Sequence, residues 1–307
     1  NAPICTGPYV FKEFVPTEYA VVERNENYWG GKPGLAKVTF KCINDQSTRA
    51  LSLKTGEIGI AYNLKIENKA DFEGQDDINI QELKSLRSTY AFMNQHGALG
   101  DLSLRQALIR ALDKKAYTEN LLGGAATPGK APIPPTLDYG FDKLVDENAF
   151  NPESAKEILA KAGYKDVDGD GIREDKEGKP LKINLAMMSG SEIQEPLSQY
   201  YIQQWKSIGL NVELVDGRLL DINNFYDRVE ADDPAIDFCL AAIGFGSDPQ
   251  QVSLFGKTAG FNISRYTSET LEKALANTVS PEAIDDQKRA EFYKEYERVF
   301  MDEIPVV

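Results

Sequence analysis

YAFMNQHGALGDLSLRQALIRALD, residues 90–113, is the stretch whose reading decides the fold. Its first five residues have the apolar, aromatic composition of a buried strand. Gly97, Gly100 and Asp101 then supply turn and cap chemistry. Beyond them Leu104, Ala107, Leu108, Ala111 and Leu112 recur at helical spacing, with Asp101 placed as the N-cap. The stretch is expected to be a strand, a polar turn and an amphipathic helix, which together make one βα unit.

On its N-terminal side, residues 3–86 alternate as strands do, at 9–11, 19–22 and 38–43, punctuated by Gly7-Pro8 and Gly30-Gly31. A helix is expected from Ser47 or Thr48 through Leu53, stopping at Gly56, with 57–64 (EIGIAYNL) returning to a strand. Tyr28 and Trp29 read as a packing pair beside a glycine turn. On the C-terminal side, the Pro- and Gly-rich run 123–144 reads as a surface loop. Residues 151–164 are expected to form a short helix with Asn151 as N-cap, Pro152 in the first turn and Gly163 as the stop. Strand 182–187, helix 195–207 and strand 211–216 form a crossover, which implies neighbouring parallel strands. Residues 219–230 read as a helix and 238–246 as a buried strand. The final helix carries Phe292, Tyr296, Val299 and Phe300 on one face and leads into a strand expected to return to the first domain. This alternation predicts an α/β protein, a mixed or parallel sheet flanked by helices.

The chain has 307 residues, enough for about two domains at roughly 100–200 residues each. No apolar run approaches the ~20 residues of a membrane span. A net charge of −14 and a pI of about 4.7 argue against nucleic acid, which demands a basic footprint. Cys5, Cys42 and Cys239 lack metal-ligand spacing, and His96 is the single histidine, so a zinc site is not expected. A Cys5–Cys42 bridge and buried thiols both remain open. Catalytic signatures (G-x-S-x-G, H-E-x-x-H, a P-loop, a dinucleotide fingerprint) are absent, and His96 reads as a turn residue. An enzyme is not expected.

One motif suggests a cation. Residues 166–177, DVDGDGIREDKE, fit D-x-D-x-D-G-x5-E, so Asp166, Asp168, Asp170 and Glu177 are candidate calcium ligands around Gly171. The other reading is an acidic turn without metal, and in either case the role is structural.

For ligand binding, open α/β sheets use the loops at the carboxyl ends of their strands. Three such loops are expected: 95–100, 188–193 and 245–248. In the second, Ser189, Gly190 and Ser191 at a helix start can receive a carboxylate on backbone N–H groups. In the third, Asp248 can pair with a free α-amino group, or simply cap the next helix. Phe245 and Tyr90 are candidate pocket walls, with core packing the other role for Tyr90. Asn94 and Asn262 are expected to fix loops. Arg265 is a candidate for a ligand carboxylate, or an exposed arginine.

Much of this sequence resembles one family. The series Thr6-Gly7-Pro8-Tyr9, Arg24-Asn25-x-x-Tyr28-Trp29, Gly56-Glu57-Ile58, Phe92-x-Asn94, Asp101, Leu104-Arg105-Gln106-Ala107-Leu108, Ala111-x-Asp113 and the loop 121–135 runs in its order. So do Trp205, Ile208-Gly209-Leu210, Val212-Glu213, Gly244-Phe245, Asp248-Pro249, Phe255, Asn262 and Tyr266. They resemble the bacterial extracellular solute-binding proteins, family 5, which serve peptide and nickel ABC importers. Cys5, Gly59, Leu104, Leu112 and Phe245 depart from the family pattern. The resemblance implies a periplasmic binding protein type II-like fold of two lobes with mixed sheets, here as a C-terminal portion whose first lobe is incomplete. The expected division is 1–86 in lobe I, 87–295 as lobe II, and 296–307 returning to lobe I. It further implies a monomer without a required cofactor, outside the cell as a lipoprotein or in the periplasm, that hands oligopeptides to a membrane permease. In peptide-binding members the aspartate at Asp248 meets the peptide N-terminus. The alternative of another class is a calcium-stabilised surface or signalling module built on 166–177.

Overall fold

Asp101 accepts a hydrogen bond from Ser103 N–H at 2.9 Å and caps a helix running Leu102–Ala111, whose Leu104, Ala107, Leu108 and Ala111 are fully buried. The deciding stretch is thus a βα unit in the computed structural model, which describes residues 3–64, 66–137, 139, 143–191 and 193–307. The chain divides into two units, Asn1–Glu82 and Leu83–Val307.

The first unit holds an antiparallel sheet of β1 (Tyr9–Val15), β2 (Tyr19–Arg24) and β3 (Lys37–Lys41), in that order. Helix α1 (Gln46–Lys54) follows, capped by Asp45, whose carboxylate takes the Thr48 N–H at 2.7 Å. Tyr28 and Trp29 pack ring to ring at 5.3 Å, but on the surface, with Trp29 81% exposed. The strand expected over 57–64 does not form. Its carbonyls serve another purpose: the Arg49 guanidinium donates to Tyr62 O and Asn63 O at 2.9 and 3.0 Å. The alternation read there as a strand leaves Ile60 and Tyr62 exposed and without a ladder.

The second unit begins with β4 (Arg87–Met93) and α2 (Leu102–Ala111), then a single turn α3 (Lys114–Ala116) and α4 (Pro152–Ala162). Asn151 caps α4, and Gly163 closes it at φ +101°, a left-handed conformation natural to glycine. The crossover follows as expected: β5 (Lys182–Ala186), α5 (Gln194–Lys206) and β6 (Asn211–Leu214), with β5 parallel to β6. Then come α6 (Ile222–Glu230), β7 (Phe238–Gly244), α7 (Val252–Phe255), α8 (Glu269–Thr278) and α9 (Asp286–Glu303). The sheet order is β4-β7-β5-β6; β5 runs parallel to β7, and β4 antiparallel to it.

Both faces of this sheet are covered, which is why its central strands read as apolar runs. Ala91, Met93, Ile183, Leu185, Phe238 and Leu240 face α2, α4 and α5, around the wholly buried Trp205. Tyr90, Phe92, Ala186, Cys239 and Ala241 face the opposite layer, α6 to α9. Residues 296–307, expected in the first lobe, belong to the second unit. Tyr296, Val299 and Phe300 bury into that second layer, and Val307 exchanges backbone hydrogen bonds with Ala91 at 2.7 and 3.0 Å, beside β4. The buried Arg105 fixes the turn between, donating to Leu99 O, Gly100 O, Glu303 O and Ile304 O at 2.8–3.0 Å. Of the thiols, Cys5 and Cys42 are free and exposed, and Cys239 is free and buried.

Candidate functional site

Because β4 opposes β7, its end at Met93 pairs with Phe238 and its start at Arg87 pairs with Gly244. The loop 95–100 therefore lies at the opposite sheet edge from the loops that follow β5 and β7. What joins those two loops at the carboxyl edge is the segment entering β4: Phe245 N–H donates to Leu86 O at 2.6 Å.

At this edge Asp248 stands with its side chain 60% exposed. Its Oδ1 accepts from Gln250 N–H at 3.1 Å, from Arg289 Nη2 at 3.0 Å and from the Tyr293 hydroxyl at 3.5 Å. Burial pushes the Tyr293 phenol up to about 12, so it stays a donor. Among the described residues none engages Oδ2. Asp248 does not cap α7, whose N-cap position is Gln251; it forms a turn on Gln250 instead. Arg289 in turn donates through Nε to the Tyr139 hydroxyl at 3.1 Å, and the Tyr139 and Tyr293 rings lie 4.4 Å apart. Phe245 is half-buried against the core layer that includes Ile243 and Val252.

The Ser189-Gly190-Ser191 turn is exposed, with Gly190 at φ +98° and Ser189 N–H donating to Leu220 O at 2.7 Å. It offers an anion fewer donors than expected. Gln194 and Leu197 N–H already bond to Ser191 O and Ile193 O, and Pro196 has none. Glu192 lies outside the described residues.

The other candidates lie apart. Tyr90 is 4% exposed, donates its hydroxyl to Pro132 O and packs edge-on to Phe92 and Phe255. Asn94 fixes its loop: its Nδ2 donates to Asp232 at 3.0 Å and its Oδ1 accepts from His96 N–H at 3.1 Å. Asn262 does likewise, donating to Tyr266 O at 2.8 Å. Arg265 is no free surface arginine: it donates to Val229 O at 2.8 Å and pairs with Asp232 at 3.4 Å. His96 Nδ1 completes this cluster 2.9 Å from Asp232. Burial raises the Asp232 pKa, but His96 and Arg265 outweigh it and hold the carboxyl below its usual range. Arg289, Tyr293 and Tyr139 went unread in the sequence. The spacing of Arg289 and Tyr293 by one helical turn was the signal available, and it carried no hint of Asp248 as their target.

In the acidic loop, Asp166, Asp168 and Glu174 bring ligand oxygens within 4.8 Å of one another. Asp170 and Glu177 are not in that group, and the buried Glu174 stands in for them. These oxygens could hold a hard cation, yet backbone N–H groups already reach them: Gly169 and Gly171 donate to Asp166, Asp170 to Asp168, and Val167 to Glu174, at 2.7–3.1 Å. Those bonds hold the turn together, and a carboxylate that accepts them keeps lone pairs for a cation.

The model for bacterial extracellular solute-binding proteins, family 5 Middle, matches residues 1–262. The chain belongs to this family. This family-5 chain is 28% identical over 304 residues to the oligopeptide-binding protein AppA of Bacillus subtilis (strain 168), covering 97% of this chain and 54% of that protein. It is 32% identical over 220 residues to the nickel-binding periplasmic protein of Escherichia coli (strain K12), covering 70% of this chain and 42% of that one. Among solved structures, the Bacillus subtilis AppA in complex with a nonapeptide superposes with a TM-score of 0.79 at 26% identity, over 98% of this chain and 59% of that one. The family-5 chain thus spans about half the length of the curated relatives it matches. Its fold is α/β, periplasmic binding protein type II-like.

Proposed function

We propose that this chain is part of the substrate-binding component of an ABC importer, which captures oligopeptides outside the cytoplasm and delivers them to a membrane permease. Its work is capture, not catalysis, and it acts as a monomer, either periplasmic or anchored as a lipoprotein. The observation that carries the reading is Asp248. It stands at the carboxyl edge of the sheet, where α/β sheets meet ligands, with three donors on one oxygen and, among the described residues, none on the other. The α-ammonium is the one group every linear peptide offers. Phe245 and Ser189–Ser191 share that edge, and membership in family 5 supports the importer role. Nickel capture has less support, because His96 belongs to the opposite edge.

Calorimetry on the full chain with a peptide and its N-acetylated counterpart tests the reading. Asp248→Asn should weaken binding of the free-amine peptide roughly tenfold to a hundredfold, the worth of a charge-assisted hydrogen bond, and leave the acetylated one unchanged. Equal affinities of Asp248→Asn and wild type for the free-amine peptide would refute it.

A further inference from the structure

We propose that Arg289 is a positioning residue for ligand recognition: it grips Asp248 by Oδ1 and so reserves Oδ2 for the incoming ammonium. The inference rests on the reading of Asp248 as the ammonium's partner. Its geometry is independent of that reading. Asp248 follows the exposed residues Gly246 and Ser247, which offer little to fix a carboxylate. Arg289 supplies the restraint from a rigid element, the first turns of α9, where its N–H donates to Asp285 O at 2.8 Å. Its guanidinium is itself held: Nε donates to the Tyr139 hydroxyl at 3.1 Å and the Cζ lies 5.7 Å from the centroid of the buried Tyr293 ring. A planar fork fixed by ring and hydroxyl keeps its remaining N–H groups in place, which an ammonium on a flexible stem cannot. With Nη2 at 3.0 Å and the Tyr293 hydroxyl at 3.5 Å on the same oxygen, the carboxylate is constrained in rotation.

Two effects oppose each other when Arg289 is removed. Loss of its charge strengthens the pull of Asp248 on a cation, and loss of its hydrogen bond frees the carboxylate to rotate. The Asp248 side chain is 60% exposed and that of Arg289 28% exposed, so solvent and salt screen the first effect and the second decides the sign.

The test is selectivity: the ratio of affinities of the full chain for a free-amine peptide and for its N-acetylated form. Calorimetry on wild type, Arg289→Gln and Arg289→Lys, with thermal unfolding of each, should show the ratio falling about tenfold in Arg289→Gln at unchanged Tm. Arg289→Lys should recover part of it. Should Arg289→Gln fail to fold, Tyr139→Phe, which removes only the hydroxyl that orients Nε, should lower the ratio severalfold. A ratio equal to or above that of wild type in folded Arg289→Gln, or in Tyr139→Phe where that variant stands in, overturns the proposal alone. A wild type that does not distinguish the two peptides overturns the reading of Asp248 and this proposal with it.

Discussion

Glu297 shows what a single residue hides from a sequence. On the last helix the apolar spacing points to Phe292, Tyr296, Val299 and Phe300; the last three are buried and Phe292 is only half-buried. A glutamate beside them reads as solvated, yet Glu297 is wholly buried and neither of its oxygens has a hydrogen-bond partner among the described residues. The side chain at 293, one turn earlier, is buried too, so the buried face of α9 is wider than hydrophobicity alone draws it. Burial pushes the Glu297 carboxyl up to about 8, opposed by the charge of Lys130. An acid whose pKa is higher folded than unfolded favours the fold while both forms are protonated, and that contribution is lost as pH rises toward the folded value. Between pH 6 and 8 the wild type should therefore lose up to about 2 kcal/mol relative to Glu297→Gln, which has no proton to release. Urea midpoints of both proteins across that window give the measurement; parallel curves would mean that Glu297 is ionised throughout.

At the scale of elements, caps and crossovers were legible and strand direction was not. Asp101, Asn151 and Gly163 do the work their residue types advertise, because capping is a local backbone problem. The β5-α5-β6 crossover was equally readable, since a strand, a helix and a second strand in succession imply parallel pairing. The composition of β4 is the same for either direction, so nothing in residues 87–93 announced that it runs against β7. That one reversal moves Asn94 away from the site edge, and Arg265 lies with it through Asp232. In the acidic loop the carboxylate that joins Asp166 and Asp168 is that of Glu174, which forms a bridge to Pro180, and not that of Glu177. Asp166 is the element's keystone, taking N–H groups from Gly169 and Gly171. If the loop stands on these bonds, Asp166→Ala should cost about 1–3 kcal/mol in EDTA and the same in calcium. A loss seen only with calcium present would instead make the loop a cation site.

For the whole molecule, the two units differ in how much core each owns. The first has Val21, Ala50 and Phe72 as its buried apolar residues among those described. Phe14, Ala20 and Phe40 share one cross-strand row of its sheet, and the two phenylalanines are each 60% exposed. The second carries both large core layers. The two tryptophans report on this contrast, one in each unit. Trp29 is 81% exposed, whereas Trp205 is wholly buried, stacked on Phe238 at 4.8 Å, with its Nε1 donating to Leu108 O at 3.0 Å. All these partners of Trp205 fall within 83–307, so that segment expressed alone should fold, with a blue-shifted tryptophan emission and a urea midpoint close to that of the Trp29→Phe full chain. Residues 3–82 alone should lack dispersed amide resonances, since three buried apolar side chains do not offset the backbone entropy of ordering that many residues. The emission of 83–307 decides the matter: a spectrum like that of free indole before any denaturant is added would show that the second unit does not hold its core unaided, and that the division at 82/83 is one of contacts and not of stability.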